Sequence, residues 1–257
     1  DSAILDRVLI ADPIFIDAAP VDFLTEEIED IEVVEPIDDR NVGTIDGSLV
    51  FGDLEDNDFN AAVNIDPFDG NSKIVFTGAG NDIIDGSTAG NGSNRNYAGS
   101  NDDELFAGNN DRLFGLTGND RLNASQGTGN NRLYGGLGDD ELFAGSNDLL
   151  VGGDGDDELF VGQGGDNILI GNAGSDEFWI ATAEIPNTPN LITDFTSGED
   201  VIGIGGFPEL TFDDLSITQD GENTIIGLDE NTPLARLQEI QADNLTAENF
   251  NIVAESP

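Results

Sequence analysis

The chain has 257 residues, of which 53 are Asp or Glu and 8 are Lys or Arg, for a formal net charge of −45. It has no His and no Cys, which excludes Ser-His-Asp and Cys-His catalysis, thiolate or imidazole metal sites, and disulfides. The charge imbalance leaves no basic stripe for nucleic acid or anionic lipid, and no apolar run reaches the roughly 18–20 residues of a membrane span. The ligand chemistry that remains is hard oxygen, suited to calcium or magnesium.

Composition shifts twice along the chain, predicting three regions: 1–76, 77–179 and 180–257. The first holds 20 acids and 3 bases. Residues 1–22 alternate apolar and acidic side chains, as in Ala3-Ile4-Leu5-Asp6-Arg7-Val8-Leu9-Ile10, which predicts a β-rich segment. An apolar strand at the extreme N-terminus is a candidate for addition to the open end of a neighbouring molecule. Asp56, Asp58 and Asn60 match the first three ligand positions of an EF-hand. Ala61 stands where that loop needs Gly and Pro67 where it needs Glu, so an EF-hand is rejected. Asp53–Asp58 reads as solvated acid in preference to a looser calcium loop. No secretory signal is visible. The chain begins at Asp1 and lacks Met altogether, so its original N-terminus is expected to be missing or processed.

The middle region is an internal repeat. Aligned on the last Asp or Asn of each Gly-rich turn, the anchors are Asp82, Asn94, Asp103, Asp111, Asp120, Asn131, Asp140, Asp148, Asp157, Asp166 and Asp176. The period is nine, with small insertions and deletions. Two residues beyond the anchors stand Ile84, Asn96, Leu105, Leu113, Leu122, Leu133, Leu142, Leu150, Leu159, Ile168 and Phe178, nine of the eleven being Leu or Ile. Each unit thus combines a glycine turn with a short extended stretch whose apolar residue faces one side. A lone short strand cannot bury that face, but stacked strands can. Two units make one coil, and the anchors fall on two edges. The odd edge carries Asp82, Asp103, Asp120, Asp140, Asp157 and Asp176. The even edge carries Asn94, Asp111, Asn131, Asp148 and Asp166.

Units such as Gly135-Gly136-Leu137-Gly138-Asp139-Asp140-Glu141-Leu142-Phe143 and Gly152-Gly153-Asp154-Gly155-Asp156-Asp157-Glu158-Leu159-Phe160 resemble the RTX, or haemolysin-type, calcium-binding nonapeptide. The resemblance implies an all-β, right-handed parallel β-roll (a β-solenoid) flanked by a β-rich N-terminal region and a C-terminal capping domain. It also implies several Ca²⁺ ions held between successive turns by the repeat Asp and backbone carbonyls. The implied metal-site residues are Asp82, Asp103, Asp120, Gly136, Gly138, Asp140, Asp148, Gly153, Gly155, Asp157, Asp166, Gly174 and Asp176. Two carboxylates about 4.8 Å apart repel by roughly 3.5 kcal/mol at an effective dielectric near 20, and a divalent cation reverses that sign. The roll is therefore expected to be loose without calcium and to fold on binding it. The even-edge turns ending at Asp111 and Asp148 are one residue short, so calcium is expected to fill the odd edge better.

The outward positions differ by face. One carries Arg95, Arg112 and Arg132 with Tyr97, Phe114 and Tyr134. The other carries Glu104, Arg121, Glu141, Glu158 and Glu177 with Phe106, Phe143, Phe160 and Trp179. Two readings of the Arg face stay open: balancing local acid, or docking something acidic such as residues 25–39 of this chain or of a neighbour. In the last region, Asn190-Leu191-Ile192-Thr193-Asp194-Phe195, Gly198-Glu199-Asp200-Val201-Ile202 and Asn244-Leu245-Thr246-Ala247-Glu248-Asn249-Phe250 resemble the family's capping segment and tail. There the resemblance implies a type I secretion signal. A short helical tail is expected.

These readings favour a secreted calcium-binding structural protein at the cell surface or in the extracellular matrix. It would self-associate into a layer, sheath or filament through calcium bridges or N-terminal strand addition. The alternative is the calcium and secretion module of a larger secreted toxin or enzyme. An enzyme of the glycoside hydrolase kind is disfavoured, because acid pairs in so acidic a chain prove nothing by themselves. Calcium affinity is expected to be weak, about 10⁻⁴–10⁻³ M, as for extracellular modules.

Overall fold

The computed structural model describes residues 43–45, 49–52, 54–60, 73–87 and 92–257. The chain divides into two units, 1–33 and 34–257, and every described residue belongs to the second. The N-terminal strand expected for assembly, the acidic stretch 25–39 and Asp53 lie outside the described residues.

The second unit is all-β: a parallel β-solenoid in which the chain alternates between two sheets. The first sheet takes Leu49–Phe51, Ile74–Ala79, Arg95–Ser100, Arg112–Thr117, Arg132–Leu137, Leu149–Asp154, Ile168–Ala173 and Asn190–Ile192, paired in that order and all parallel. The second takes Asp58–Asn60, Ile83–Asp85, Glu104–Phe106, Arg121–Asn123, Glu141–Ser146, Glu158–Gly165, Glu177–Thr182, Val201–Gly205 and Phe250–Val253, likewise parallel. Strands of this solenoid thus lie on both sides of the 77–179 repeat region. Beyond Asn190–Ile192 the first sheet adds Thr232–Leu237 in parallel and then turns antiparallel through Asn223–Asp229 and Ser216–Asp220. The tail is not helical: Ala242–Asn244 and Ala247–Asn249 are single 3-10 turns. Among the described residues no helix is long and apolar enough to cross a membrane.

The core is two facing ladders. Val50, Val75, Asn96, Leu113, Leu133, Leu150, Leu169 and Ile192 stack in the first sheet. Phe59, Ile84, Leu105, Leu122, Leu142, Leu159, Phe178 and Ile202 stack in the second. All are buried, because alternation sends every second side chain inward. One register differs from the sequence reading. Leu169, not Ile168, occupies the core ladder, and Ile168 is 39% exposed. The preceding strand runs on to Gly165 after a register shift opposite Ala144–Ser146. Asp166 then spends one more residue in a left-handed conformation, φ 56°.

Asn96 is the polar member of its ladder. It is fully buried, and neither its amide nitrogen nor its amide oxygen has a hydrogen-bond partner among the described residues. Asn96→Leu, which restores the residue type of the neighbouring rungs, is expected to stabilise the folded chain by about 1–3 kcal/mol. Urea unfolding in saturating calcium checks this, with an unchanged or lowered midpoint as the contrary outcome.

Candidate metal centre on one edge of the solenoid

On the odd edge the turns carry the chain from the first sheet to the second. Each ends in a buried Asp whose Oδ1 accepts the backbone N–H of the anchor one coil earlier. Asn57 donates to Asp82 at 2.7 Å, Asp82 to Asp103 at 2.7 Å, Asp103 to Asp120 at 2.8 Å, and Asp120 to Asp140 at 2.7 Å. Asp140 donates to Asp157 at 2.9 Å, Asp157 to Asp176 at 3.0 Å, and Asp176 to Asp200 at 3.1 Å. The column therefore extends to Asn57 and Asp200, which the sequence reading did not place in it.

At the upper end Asp200 Oδ2 also accepts the Thr196 N–H at 2.7 Å, but in four of these carboxylates only Oδ1 is used. Oδ2 of Asp103, Asp120, Asp140 and Asp157 is buried with no hydrogen-bond donor among the described residues. Glycine makes room for it: a methyl at Gly152 would overlap Asp157 Oδ2, and one at Gly135 would overlap Asp140 Oδ2. A second, exposed row lies beside the column. Asp156 N–H donates to Asp139 Oδ1 at 2.9 Å, and Asn119 N–H to Asp102 Oδ1 at 2.9 Å. The Asp-Asp doublets at 102–103, 139–140 and 156–157 were its signal in the sequence.

The even edge is built differently. Its column is Asn94, Asp111, Asn131, Asp148, Asn167 and Asn190, with Oδ1 accepting backbone N–H at 2.7 to 3.1 Å. Successive anchors there stand 17, 20, 17 and 19 residues apart between Asn94 and Asn167. Asp166 is thus not the anchor; Asn167 is, for the register reason given above. The two acids left in this column are already satisfied. Asp111 Oδ2 accepts the Gly108 N–H and Asp148 Oδ2 the Gly145 N–H, both at 2.7 Å. The short turns at these two positions close back on their own anchor, filling the place a ligand would take.

Electrostatics separate the edges further. Burial pushes Asp140 up to about 8, with the charges of Asp120, Asp157 and Asp139 adding to it. Burial likewise raises Asp103 to about 8, Asp120 and Asp157 to about 7, and Asp176 to about 6. Backbone N–H donation opposes the shift in each case. On the even edge Asp148 rises to about 6 by burial, against donors from Asn131 and Gly145.

A hard divalent cation fits the odd edge. Buried carboxylate oxygens stand there without donors, in a row of like charges. Among the described residues no three carboxylates converge as a ready metal cluster. Since Ca²⁺ takes 6–8 oxygens, backbone carbonyls of the turns must complete the set. The turn glycines Gly136, Gly138, Gly153, Gly155 and Gly174 all have positive φ, between 117° and 141°. They lie on the same edge as the Asp column, whereas Asp148 lies on the other.

A pH dependence follows for calcium-free protein. These carboxyls hold their protons more tightly folded than unfolded, because the folded values lie above the ordinary 3.8. Folding then takes up protons, so stability rises as pH falls from about 8 towards 3.8, the reverse of a salt-bridged carboxylate. With calcium present the ligands must be deprotonated, so the calcium midpoint should worsen over the same range. Thermal melts in metal-stripped buffer and in millimolar calcium, at several pH values, check both signs.

Comparison with a protein-family model agrees with this geometry. A family model for the RTX calcium-binding nonapeptide repeat (4 copies) matches residues 74–89, 88–122, 108–128, 127–148, 144–167 and 153–179. Curated protein sequences give no match. Among solved structures, the extracellular lipase LipA from Serratia marcescens is similar at 16% identity and a TM-score of 0.28, over 69% of this chain and 44% of that one. The AlgE6R3 subunit from the Azotobacter vinelandii mannuronan C5-epimerase is similar at 17% identity and a TM-score of 0.24, over 78% of this chain and 80% of that one. The chain thus spans less than half the length of the lipase. With the stacked glycine turns and the anchor columns, the family match identifies residues 74–179 as RTX calcium-binding nonapeptide repeats.

Proposed function

We propose that the chain is a secreted, non-enzymatic, calcium-binding structural protein whose solenoid folds when calcium fills the odd edge. The observation that carries this reading is the row of buried, donor-free Oδ2 atoms on Asp103, Asp120, Asp140 and Asp157. A buried anion without partner or counter-charge destabilises the fold by several kcal/mol, and four in neighbouring coils add their mutual repulsion. Asp103, Asp120, Asp140, Asp157 and Asp176, with turn carbonyls around Gly136, Gly138, Gly153, Gly155 and Gly174, would hold the ions. Bound calcium supplies positive charge to this row. The chain's own part is to hold each Oδ1 on a backbone N–H, leaving Oδ2 free.

With weak sites the chain stays loose where calcium is scarce and folds where it is millimolar. That suits export, followed by folding at the cell surface or in the extracellular matrix. Folded copies then associate into a layer, sheath or filament. Circular dichroism and hydrogen exchange during a calcium titration, with magnesium as control, test the folding step. Cooperative gain of β-structure and amide protection across residues 74–205 is expected with calcium only. Full protection in chelator would defeat the reading.

A further inference from the structure

The outer face of the first sheet carries an unusual row of charge. Arg95, Arg112 and Arg132 stand in register on three adjacent parallel strands. Neighbouring strands lie about 4.8 Å apart, and like charges placed directly side by side destabilise a sheet. Arg95 and Arg132 are exposed and Arg112 half-buried. Among the described residues none of the three forms an ion pair, in a chain with 53 acids. Arg121 on the opposite sheet is a built-in contrast. It sits between Glu104 and Glu141, pairs with both, and lies 4.2 Å over the Phe143 ring. On the second sheet Arg121 is bracketed by acid on both neighbouring strands. On the first sheet the three arginines are not.

Beside the Arg row runs a ladder of five rings, Phe51, Phe76, Tyr97, Phe114 and Tyr134. They are stacked at 4.6 to 5.6 Å with interplanar angles of 4° to 14°. Their faces are used up against one another, so ring edges point outward. A ring edge is the positive part of its quadrupole. Guanidinium row and ring edges therefore present one sign, and both suit an anion with apolar groups interleaved.

We infer that this face docks the acidic segment 25–39 of a second copy of the chain. The segment, Thr25-Glu26-Glu27-Ile28-Glu29-Asp30-Ile31-Glu32-Val33-Val34-Glu35-Pro36-Ile37-Asp38-Asp39, has eight acids, no base and five aliphatic residues. Its carboxylates match the forked guanidinium donors, and its aliphatic side chains match the half-buried ring edges. The repulsion of two chains of charge −45 is screened beyond about 8 Å at physiological salt, so contact pairing governs once the surfaces meet. A surface on one copy and a segment on the next form a heterologous contact, which propagates head to tail into a ring where the rotation closes and an open filament where it does not. This inference rests on the self-association reading above and supplies its partner surface.

The test uses the full chain in millimolar calcium, by sedimentation velocity over a concentration series. One variant removes the row (Arg95→Gln, Arg112→Gln, Arg132→Gln). Another neutralises the segment (Glu27→Gln, Glu29→Gln, Asp30→Asn, Glu32→Gln). Each alone should associate at least tenfold more weakly than wild type. A one-to-one mixture should recover dimers but no longer species, because each variant retains the surface the other has lost. Should either variant lose its calcium-dependent circular dichroism signal, synthetic peptide 25–39 serves instead. It should disperse wild-type assemblies, and its Gln/Asn-substituted form should not. Wild-type-like assembly of both variants, or indifference to the peptide, overturns the docking inference alone. A wild type that stays monomeric at every concentration overturns self-association itself, and the docking inference with it.

Discussion

Asp140→Asn is expected to act with opposite signs in the two metal states. Without calcium, at a pH above about 8 where Asp140 is ionised, it removes a buried charge that sits next to Asp120, Asp157 and Asp139. The Asn oxygen can still accept the Asp120 N–H that Asp140 Oδ1 accepts at 2.7 Å. The calcium-free melting temperature should therefore rise. With calcium the same change replaces the donor-free Oδ2 by an NH₂ group, which cannot ligate. The calcium midpoint for folding should move up by about tenfold or more, equivalent to about 1.4 kcal/mol. Asp148→Asn is the control. Its Oδ2 is already taken by the Gly145 N–H at 2.7 Å, and the equivalent positions 94, 131 and 167 carry Asn. The NH₂ that replaces Oδ2 cannot accept that N–H, so Asp148→Asn should lower the melting temperature in both metal states alike, without the opposite signs of Asp140→Asn. Equal shifts for the two variants would show that calcium fills both edges alike.

Gly155→Ala is expected to break coil stacking even in saturating calcium. Gly155 has φ 141°, and a Cβ there would overlap the Gly138 carbonyl oxygen of the preceding coil. Nothing flexible can give way, because the obstacle is backbone on both sides: Gly155 N–H donates to Ala173 O at 2.8 Å and Gly138 N–H to Asp154 O at 2.8 Å. Strain at a special φ combined with a steric overlap belongs among the mechanisms that exceed about 4 kcal/mol. Hydrogen exchange should show lost protection in the coils on either side, from Asp140 to Asp176. Gly221 separates strain from overlap. It has φ 65° with open space around it, so Gly221→Ala should cost only the left-handed penalty of about 1–2 kcal/mol. Similar losses at both positions would mean that close approach of the coils is not what the turn glycine serves.

Much of this protein was legible before any coordinates. The nine-residue period, the apolar residue two places past each anchor and the glycine turns determine a parallel solenoid, because only stacking buries so short a strand. The absence of His and Cys confines any metal site to oxygen ligands, and the Asp column of the odd edge was legible as a row of anchors. The difference between the two edges was also readable, since Gly108-Asn109-Asn110-Asp111 and Gly145-Ser146-Asn147-Asp148 are visibly short.

What the linear pattern could not decide depends on three-dimensional register and on individual atoms. Asp166 and Asn167 are adjacent, and Ile168 and Leu169 are equally apolar. Only the prolonged strand Glu158–Gly165 settles which pair faces inward. Asp200 and Asn57 join the odd column although no nonapeptide surrounds them, because pairing of Val201 with Glu177 and of Asp58 with Ile83 brings them into line. A one-letter code shows that Asp140 and Asp148 are both aspartates. It does not show that one keeps a bare oxygen while the other has spent its own on the Gly145 N–H of a turn one residue shorter. Sequence determined which residues repeat, and tertiary structure decided which of those repeats retains a donor-free buried charge, since that depends on where each backbone N–H points.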